Sequence, residues 1–355
     1  MAIIPPGNHD TVTQIYRAYE AKAEDPRREH LGASLIGHPC ERYLWLTFRW
    51  VGAKTHSGRL LRLFETGQLE ERRLVKNLQS IGVEVHEADS AGNQWRVSAI
   101  GGHFGGSMDG VCKGLPEAPK TWHVLEFKTH NDKSFKDLVG KGVTASKPQH
   151  WAQMQCYMGL GDLKRALYMA VNKNDDTVYM ERVEADKEAF EALMDRAERV
   201  IRAAEPPLRI SNDPAWWQCK MCDFYEHCHG TEVPAVNCRT CAHSTPVMDN
   251  EEGKWTCEHF GEVGLIAQRE AQECPSHRFI PILLERVAEQ SGSSVTGDVE
   301  YTLRETGERF KNGEATDAFS SKEIKAVRDI RALGGSTGGF KAALAQEGIA
   351  SEVVK

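Results

Sequence analysis

Residues 105–129 read GGSMDGVCKGLPEAPKTWHVLEFKT. The segment Gly105–Lys113 suits a strand, residues 115–121 (LPEAPKT) suit a turn, and Trp122–Thr129 suits a second strand. Side chains alternate along a strand, so Val124, Glu126 and Lys128 share one face while Leu125 and Phe127 take the other. That sets a carboxylate and an ammonium side by side. Asp109 lies on the neighbouring strand among Gly105, Gly106 and Gly110, where a ligand can approach closely.

Asp and Glu supply the hard oxygen atoms that hold Mg²⁺ or Mn²⁺. Ions held this way activate water and relieve charge at a phosphodiester. An ammonium beside such a water orients it or stabilises its hydroxide. By itself, Glu-x-Lys in a strand reads as an exposed salt-bridging face, and the surrounding residues change that reading. Gln149, Gln153 and Tyr157 follow at spacings of four and share one face of a helix. Upstream, Gly67 and Glu71 lie in a helix that can present a further carboxylate.

Further out, helices are expected over 10–24, Cys40–Trp50, Ser57–Ser80, Gln149–Leu160 after Pro148, and Ala185–Ala204 before Pro206 and Pro207. The third of these stretches, Ser57–Ser80, carries a helical stripe of Leu60, Leu61, Phe64, Leu69, Leu74 and Leu78. Strands are expected at Val83–Ala88, at Trp95–Ile100 paired with Gly105–Lys113, and at Arg165–Lys173 paired with Thr177–Glu184. A helix over Pro281–Glu289 should lead into the linker SGSSVTGD (291–298). Val299–Arg304 should then pair with Glu308–Lys311, and Ser320 with Glu323 should cap a last helix. The order predicts a mixed α/β protein.

The 355 residues leave room for two or three domains, expected at 1–230, 231–290 and 291–355. Net charge is −7, but Cys40–Lys76 holds eight basic residues against four acidic ones. Within that tract Arg42, Arg49, Arg59 and Arg62 are candidates to meet DNA phosphates; as a bland alternative the tract is a solvated face. No run of 18 apolar residues predicts a membrane span, and MAIIPPGNHD lacks the features of a signal peptide, so a cytoplasmic location is expected.

Ten cysteines in a reducing compartment argue for metal ligands over disulfides. Cys40 stands alone, and Cys219-x2-Cys222-x5-Cys228 follows far downstream. Four such thiols suit an iron–sulfur cluster or a zinc ion, or are plain buried thiols. Cys238-x2-Cys241, Cys257 and Cys274 read as a four-thiolate zinc site, with His243, His259 and His277 near enough in sequence to substitute. Cys112 and Cys156 lack ligand spacing and suit the core.

The Asp109, Glu126-Phe127-Lys128 and Gln153/Tyr157 set resembles the PD-(D/E)XK nuclease superfamily, in particular its RecB-like branch, over about Ser34–Cys228. The resemblance implies a restriction-endonuclease-like core, a mixed central sheet flanked by helices. It implies that Asp109 and Glu126 bind the metal, that Lys128 is catalytic, that Glu71 completes the metal shell, and that Gln153 and Tyr157 support the site and the DNA. Iron–sulfur members often carry histidine where Glu71 stands. Glutamate there is closer to phage recombination exonucleases, which implies a phage origin and a host cytoplasm. The one-plus-three thiols resemble RecB-like nucleases with a 4Fe-4S cluster, such as the CRISPR-associated and AddB-type proteins. The expected function is a Mg²⁺- or Mn²⁺-dependent DNA exonuclease acting on ends in recombination, replication or repair. The alternatives are a non-catalytic DNA-binding or assembly factor on the same fold, and a subunit that cuts only within a partner complex.

Overall fold

WHVLEFKT supplies the central strand. The computed structural model describes residues 10–23, 27–52, 55–249, 251–265, 267–293, 297–327, 329–335, 339 and 341. Its first part runs α1 (Asp10–Ala21), β1 (Leu31–Gly32), α2 (Glu41–Phe48), α3 (Gly58–Ser80), β2 (Glu84–His86), β3 (Arg96–Ala99), β4 (Phe104–Ser107), β5 (Gly110–Lys113) and β6 (His123–His130). Next come α4 (Asp132–Ser146), α5 (Pro148–Leu160), β7 (Arg165–Asn172), β8 (Val178–Glu184), α6 (Lys187–Arg202), α7 (Trp217–Lys220) and α8 (Tyr225–His229). The last part holds β9 (Ser244–Pro246), β10 (Trp255–Cys257), β11 (Glu262–Leu265), α9 (Ala267–Glu270), β12 (Ala288–Ser293), β13 (Val299–Leu303), β14 (Arg309–Asn312) and α10 (Ser321–Ala326).

The main sheet has the order β2-β5-β6-β7-β8, with β6 and β7 parallel and the other neighbours antiparallel. Parallel neighbours need a crossover, which α4 and α5 provide. Leu125, Phe127, Leu167 and Met169 pack on Leu74, Val75 and Leu78 of α3. Val124, Ala166 and Tyr168 face the core that α4 and α5 fill with Phe135, Leu138, Met154 and Tyr157. The sheet is therefore buried on both faces, and the alternation expected in β6 holds.

Ser57 caps α3, its Oγ accepting from the Leu60 N–H (3.4 Å). Of the expected stripe only Leu74 and Leu78 are buried; Phe64 and Leu69 are exposed. The first half of α3 instead lies against α1, so closely that a Cβ on Gly58 would meet the Tyr16 carbonyl oxygen at 2.1 Å.

Several expectations change. Gly105–Lys113 is not one strand. The chain leaves β4, which belongs to a small sheet ordered β1-β4-β3, and enters β5 of the main sheet at Gly110, whose φ of +148° suits glycine. Residues 132–146, left unassigned by the sequence, form α4, with Asn131 Oδ1 accepting from the Ser134 N–H (2.9 Å) and a break at Gly142. The helix expected over Pro281–Glu289 is a single turn at Pro281–Leu284 followed by β12, because pairing with β13 satisfies the backbone there. β12 crosses the boundary expected at 290/291, and the linker expected over 291–298 is strand through Ser293. Asp298 is buried in an ion pair with Arg278 (3.2 Å). Residues 294–296, residue 24 of the first expected helix and residues 342–355 of the expected third domain lie outside the described residues.

β13 and β14 pair as expected, and Ser320 with Glu323 forms the capping box of α10. β12, β13 and β14 form one sheet over a second core of Val233, Val236, Phe279, Tyr301 and Phe310. The Cys-rich segment is not a core apart. Trp255 of β10 is fully buried and belongs with Phe48 and Phe104 to the main core. Among the described residues no helix is long and apolar enough to cross a membrane.

Candidate active site

β5 pairs with β6 only as far as Gly110 opposite Leu125. Beyond that point the two strands part, and the Phe127 N–H on this side of β6 has no strand partner. Asp109 takes it, Oδ2 accepting at 2.7 Å. One residue back along β6, Glu126 is fully buried and receives the Lys128 ammonium on Oε1. Glu71 joins from α3, one turn before Leu74 and Val75, on the flank that faces the sheet. Three carboxylates, from α3, from the bend between β4 and β5, and from β6, thus act on one ammonium.

Their protonation reflects that crowding. Burial, then the Asp109 carboxylate, pushes Glu71 up to about 7. Burial also pushes Glu126 up to about 7 against the pull of Lys128, with Asp109 and Glu71 adding repulsion. Asp109 is raised by burial despite Lys128 and the Phe127 N–H. Burial acts to lower Lys128, but Glu126, Asp109 and Glu71 outweigh it and hold the ammonium above its usual range. Glu126 Oε2 is buried without a hydrogen-bond partner.

Tyr157 and Gln153 come from α5. The Tyr157 hydroxyl donates to Ser107 O (2.8 Å) and accepts from Gln153 Nε2 (3.1 Å), fixing the chain where β4 gives way to Asp109. A Cβ on Gly106 would meet that hydroxyl at 2.7 Å, so this glycine makes room for the tyrosine. All six expected residues, Glu71, Asp109, Glu126, Lys128, Gln153 and Tyr157, come together. On the same side of β6, Tyr168 is hydrogen-bonded to His130 (2.9 Å) and His150 (2.9 Å), a buried network that the sequence did not suggest.

The thiols also gather. Cys40, Cys219, Cys222 and Cys228 line one cavity of about 30 Å³, and Cys40 with Cys228 or Cys219 raises the others' pKa values further after burial has acted. Burial and the neighbouring Cys241, Cys274 and Cys257 push Cys238 up to about 12. All ten cysteines are free of disulfides. Cys112 and Cys156 are buried core residues, as expected. Among the described residues, however, no three His, Cys, Asp or Glu side chains are drawn in tightly enough to hold an ion as they stand. His277 does not join the second thiol set, since its ring is hydrogen-bonded to Thr240 (3.1 Å) and Ser321 (2.8 Å).

Two of the arginines expected to meet DNA do not face outward. Arg42 is 6% exposed and its guanidinium binds Glu285 (2.9 Å) beside the first thiol set. Arg49 is 2% exposed, lies over Trp45 and Trp255, and donates to the carbonyls of Ala203, Arg239 and Ser244. Burial, then Arg239, lowers it to about 9. Helix periodicity explains both: α2 is covered by α6 and by the later chain, so positively charged positions on it turn inward. Arg59 and Arg62 are exposed on α3.

A cleft of about 630 Å³ provides a basic surface that sequence reasoning missed. It is lined by Arg27, Arg28, His30, Trp50, His56, Phe64 and Gln68, among others. Phe64 and Gln68 of the cleft fall on the same flank of α3 as Glu71. Arg28 also acts electrostatically on Tyr157. The available signal was RREH at 27–30, just ahead of the basic tract counted from Cys40.

No protein-family model matches the chain, and no curated protein matches it. Solved structures overlap it in part. One is LHK-Exo in complex with dAMP, at 17% identity over 53% of this chain and 89% of that one, TM-score 0.36. Another is the alkaline exonuclease LHK-Exo from Laribacter hongkongensis, at 16% over 52% and 90%, TM-score 0.34. A third is SSO0001, at 13% over 62% and 96%, TM-score 0.38.

Proposed function

We propose that this chain is a divalent-metal-dependent deoxyribonuclease of the PD-(D/E)XK type, RecB-like in its core, which degrades DNA from ends. One observation carries the reading: Asp109, Glu126 and Glu71 arrive from a bend, a strand and a helix, repel one another, and act on a lysine kept charged. Burying like charges is costly unless a cation compensates them. The unpartnered Glu126 Oε2 and the two carboxyls at about 7 fit that role for a hard ion, although the side chains must draw in to close on it.

Asp109, Glu126 and Glu71 would hold Mg²⁺ or Mn²⁺, which would supply an activated water and charge relief at the phosphate. The chain's own residues do the rest. The Phe127 N–H aims the Asp109 carboxylate. Lys128 carries a positive charge to the place where the attacking water and the phosphate meet. Tyr157 and Gln153 hold the backbone at Ser107. Arg27, Arg28, Arg59 and Arg62 meet backbone phosphates, and His56 and Phe64 offer faces for bases.

The first thiol quartet is read as a 4Fe-4S site that staples residue 40 to residues 219–228, with zinc as the other candidate, and the second as a zinc site. Buried neighbouring thiols whose protons are held tightly suit a thiophilic metal, which displaces those protons. End processing in recombination, with a protein partner and a phage origin, is part of this reading. The test is end-labelled DNA with Mg²⁺ or Mn²⁺, for the wild type and Glu126→Gln. Cleavage by the wild type alone supports the reading. DNA binding with no cleavage under any divalent ion replaces it with a non-catalytic binding role.

A further inference from the structure

The turn Cys238–Thr240 makes contacts that the proposed reaction does not use. Arg239 is fully buried and reaches back across the chain. Its Nη2 donates to Glu29 O (2.9 Å), its Nη1 to Phe48 O (3.1 Å) and its Nε to Glu270 Oε2 (2.6 Å). Its guanidinium carbon stands 3.7 Å from the centroid of the Trp50 ring. Asn237 Nδ2 donates to Trp50 O (3.1 Å), and the Ala235 N–H to Val51 O (2.8 Å). Trp50 carries a φ of +53°, an uncommon conformation for a bulky residue that persists only where its surroundings enforce it. Trp50 in turn donates Nε1 to Arg28 O (2.9 Å). Glu29 lies between Arg28 and His30, and Arg28, His30 and Trp50 all line the basic cleft beside α3. One side chain therefore grips both stretches of the cleft wall.

We propose that Arg239 is a positioning residue for the substrate strand: it sets the wall formed by Arg27–His30 and Trp50 against which a nucleic-acid backbone lies on its way to the carboxylate site. The proposal rests on the nuclease reading and gives the turn between Cys238 and Cys241 a part in it. Simple packing accounts poorly for the choice of residue. Arg239 sits close enough to Arg49 for the two charges to disfavour each other, a cost that an apolar side chain of similar volume would avoid. The planar fork satisfies two carbonyls and a carboxylate at fixed angles, which Lys or Met cannot reproduce.

The experiment compares the full-length wild type, Arg239→Met and Glu270→Gln. Affinity is read by anisotropy of a labelled single-stranded oligonucleotide with Ca²⁺, KM and kcat with Mg²⁺, and local opening by hydrogen exchange. Kd and KM should rise about tenfold in Arg239→Met with kcat within about twofold, since lost positioning of remote contacts acts on binding. Exchange should quicken at 27–32 and 46–52 and stay unchanged at 123–130. Glu270→Gln should move the same quantities less, and it decides the matter if Arg239→Met does not fold; no shift in it would then overturn the proposal. Equal loss of kcat with faster exchange at 123–130 makes Arg239 merely structural. Unchanged exchange at 27–32 also overturns positioning. Failure of the wild type to bind or cut DNA would fell the nuclease reading by itself.

Discussion

Two buried charge clusters divide this molecule, and they are opposite in sign. At the parting of β5 and β6, the carboxylates of Asp109, Glu126 and Glu71 act on the buried ammonium of Lys128. Beneath α2, Arg49 lies beside Arg239, and Arg239 is paired with the carboxylate of Glu270. The second cluster is compensated within the protein. Carbonyl oxygens of Glu29, Phe48, Ala203, Arg239 and Ser244 accept from the two guanidinium groups, and Trp45, Trp50 and Trp255 offer their ring faces. The first cluster is left short of positive charge, with Glu126 Oε2 unpartnered. Buried cations answered by carbonyls, ring faces and a carboxylate, with Arg49 Nε left over, hold a fold together. A buried charge left unanswered implies something the chain has yet to bind.

The comparison breaks most sharply on activity. Glu126→Gln, Asp109→Asn and Lys128→Met should each lower cleavage by about a thousandfold or more, while circular dichroism stays native. Full activity in a folded Glu126→Gln protein would remove the first cluster from the chemistry. The second cluster should respond in the opposite way. Arg49→Met leaves buried carbonyls unpaired and should cost about 2 kcal/mol of stability in urea, with DNA affinity per folded molecule unchanged. A selective loss of affinity would return Arg49 to the DNA surface.

The pH response sharpens the contrast. Glu126 and Glu71 titrate at about 7 in the fold, above the ordinary carboxyl value of 4.5 that they regain on unfolding. A raised carboxyl stabilises the protonated fold, so its contribution is present below the unfolded pKa and is lost as pH rises through about 7. In the absence of divalent ions, Tm should rise as pH falls from above 7 towards 4.5, and Glu126→Gln should flatten that rise. Affinity for Mn²⁺ should fall over the same window as protons compete. A wild-type Tm profile no steeper than that of Glu126→Gln would deny the crowding. The smallest effect is at the surface: Arg59→Ala and Arg62→Ala should each lower the slope of log affinity against log salt by about 1 or less, equally for all DNA sequences.

What could be read in advance followed the range of the interactions involved. Alternation along WHVLEFKT correctly gave the shared face of Glu126 and Lys128, because a strand's period is local. Ser57 at the start of α3 and Ser320 with Glu323 at α10 were legible for the same reason. The break of Gly105–Lys113 into two sheets was hidden, since both halves suit strands and only their partners differ. The stretch 132–146 carries two internal glycines, Gly140 and Gly142, so its helix depends on packing against β7 and α5 more than on propensity.

The sequence by itself determined the inventory: three acidic groups and a lysine at strand and helix spacing, two thiol quartets, and a mixed order of helices and strands. Tertiary structure alone decided which charges are spent inside the fold and which face a ligand. Arg42, Arg49, Arg59 and Arg62 belong to one basic tract, yet the first two are buried by segments more than 150 positions away and the last two are exposed. Likewise Arg28 and Trp50 become a cleft wall only because Arg239 returns to their stretches from about 190 to 210 positions downstream. Burial depends on what the rest of the chain lays over a residue, and no local pattern records that.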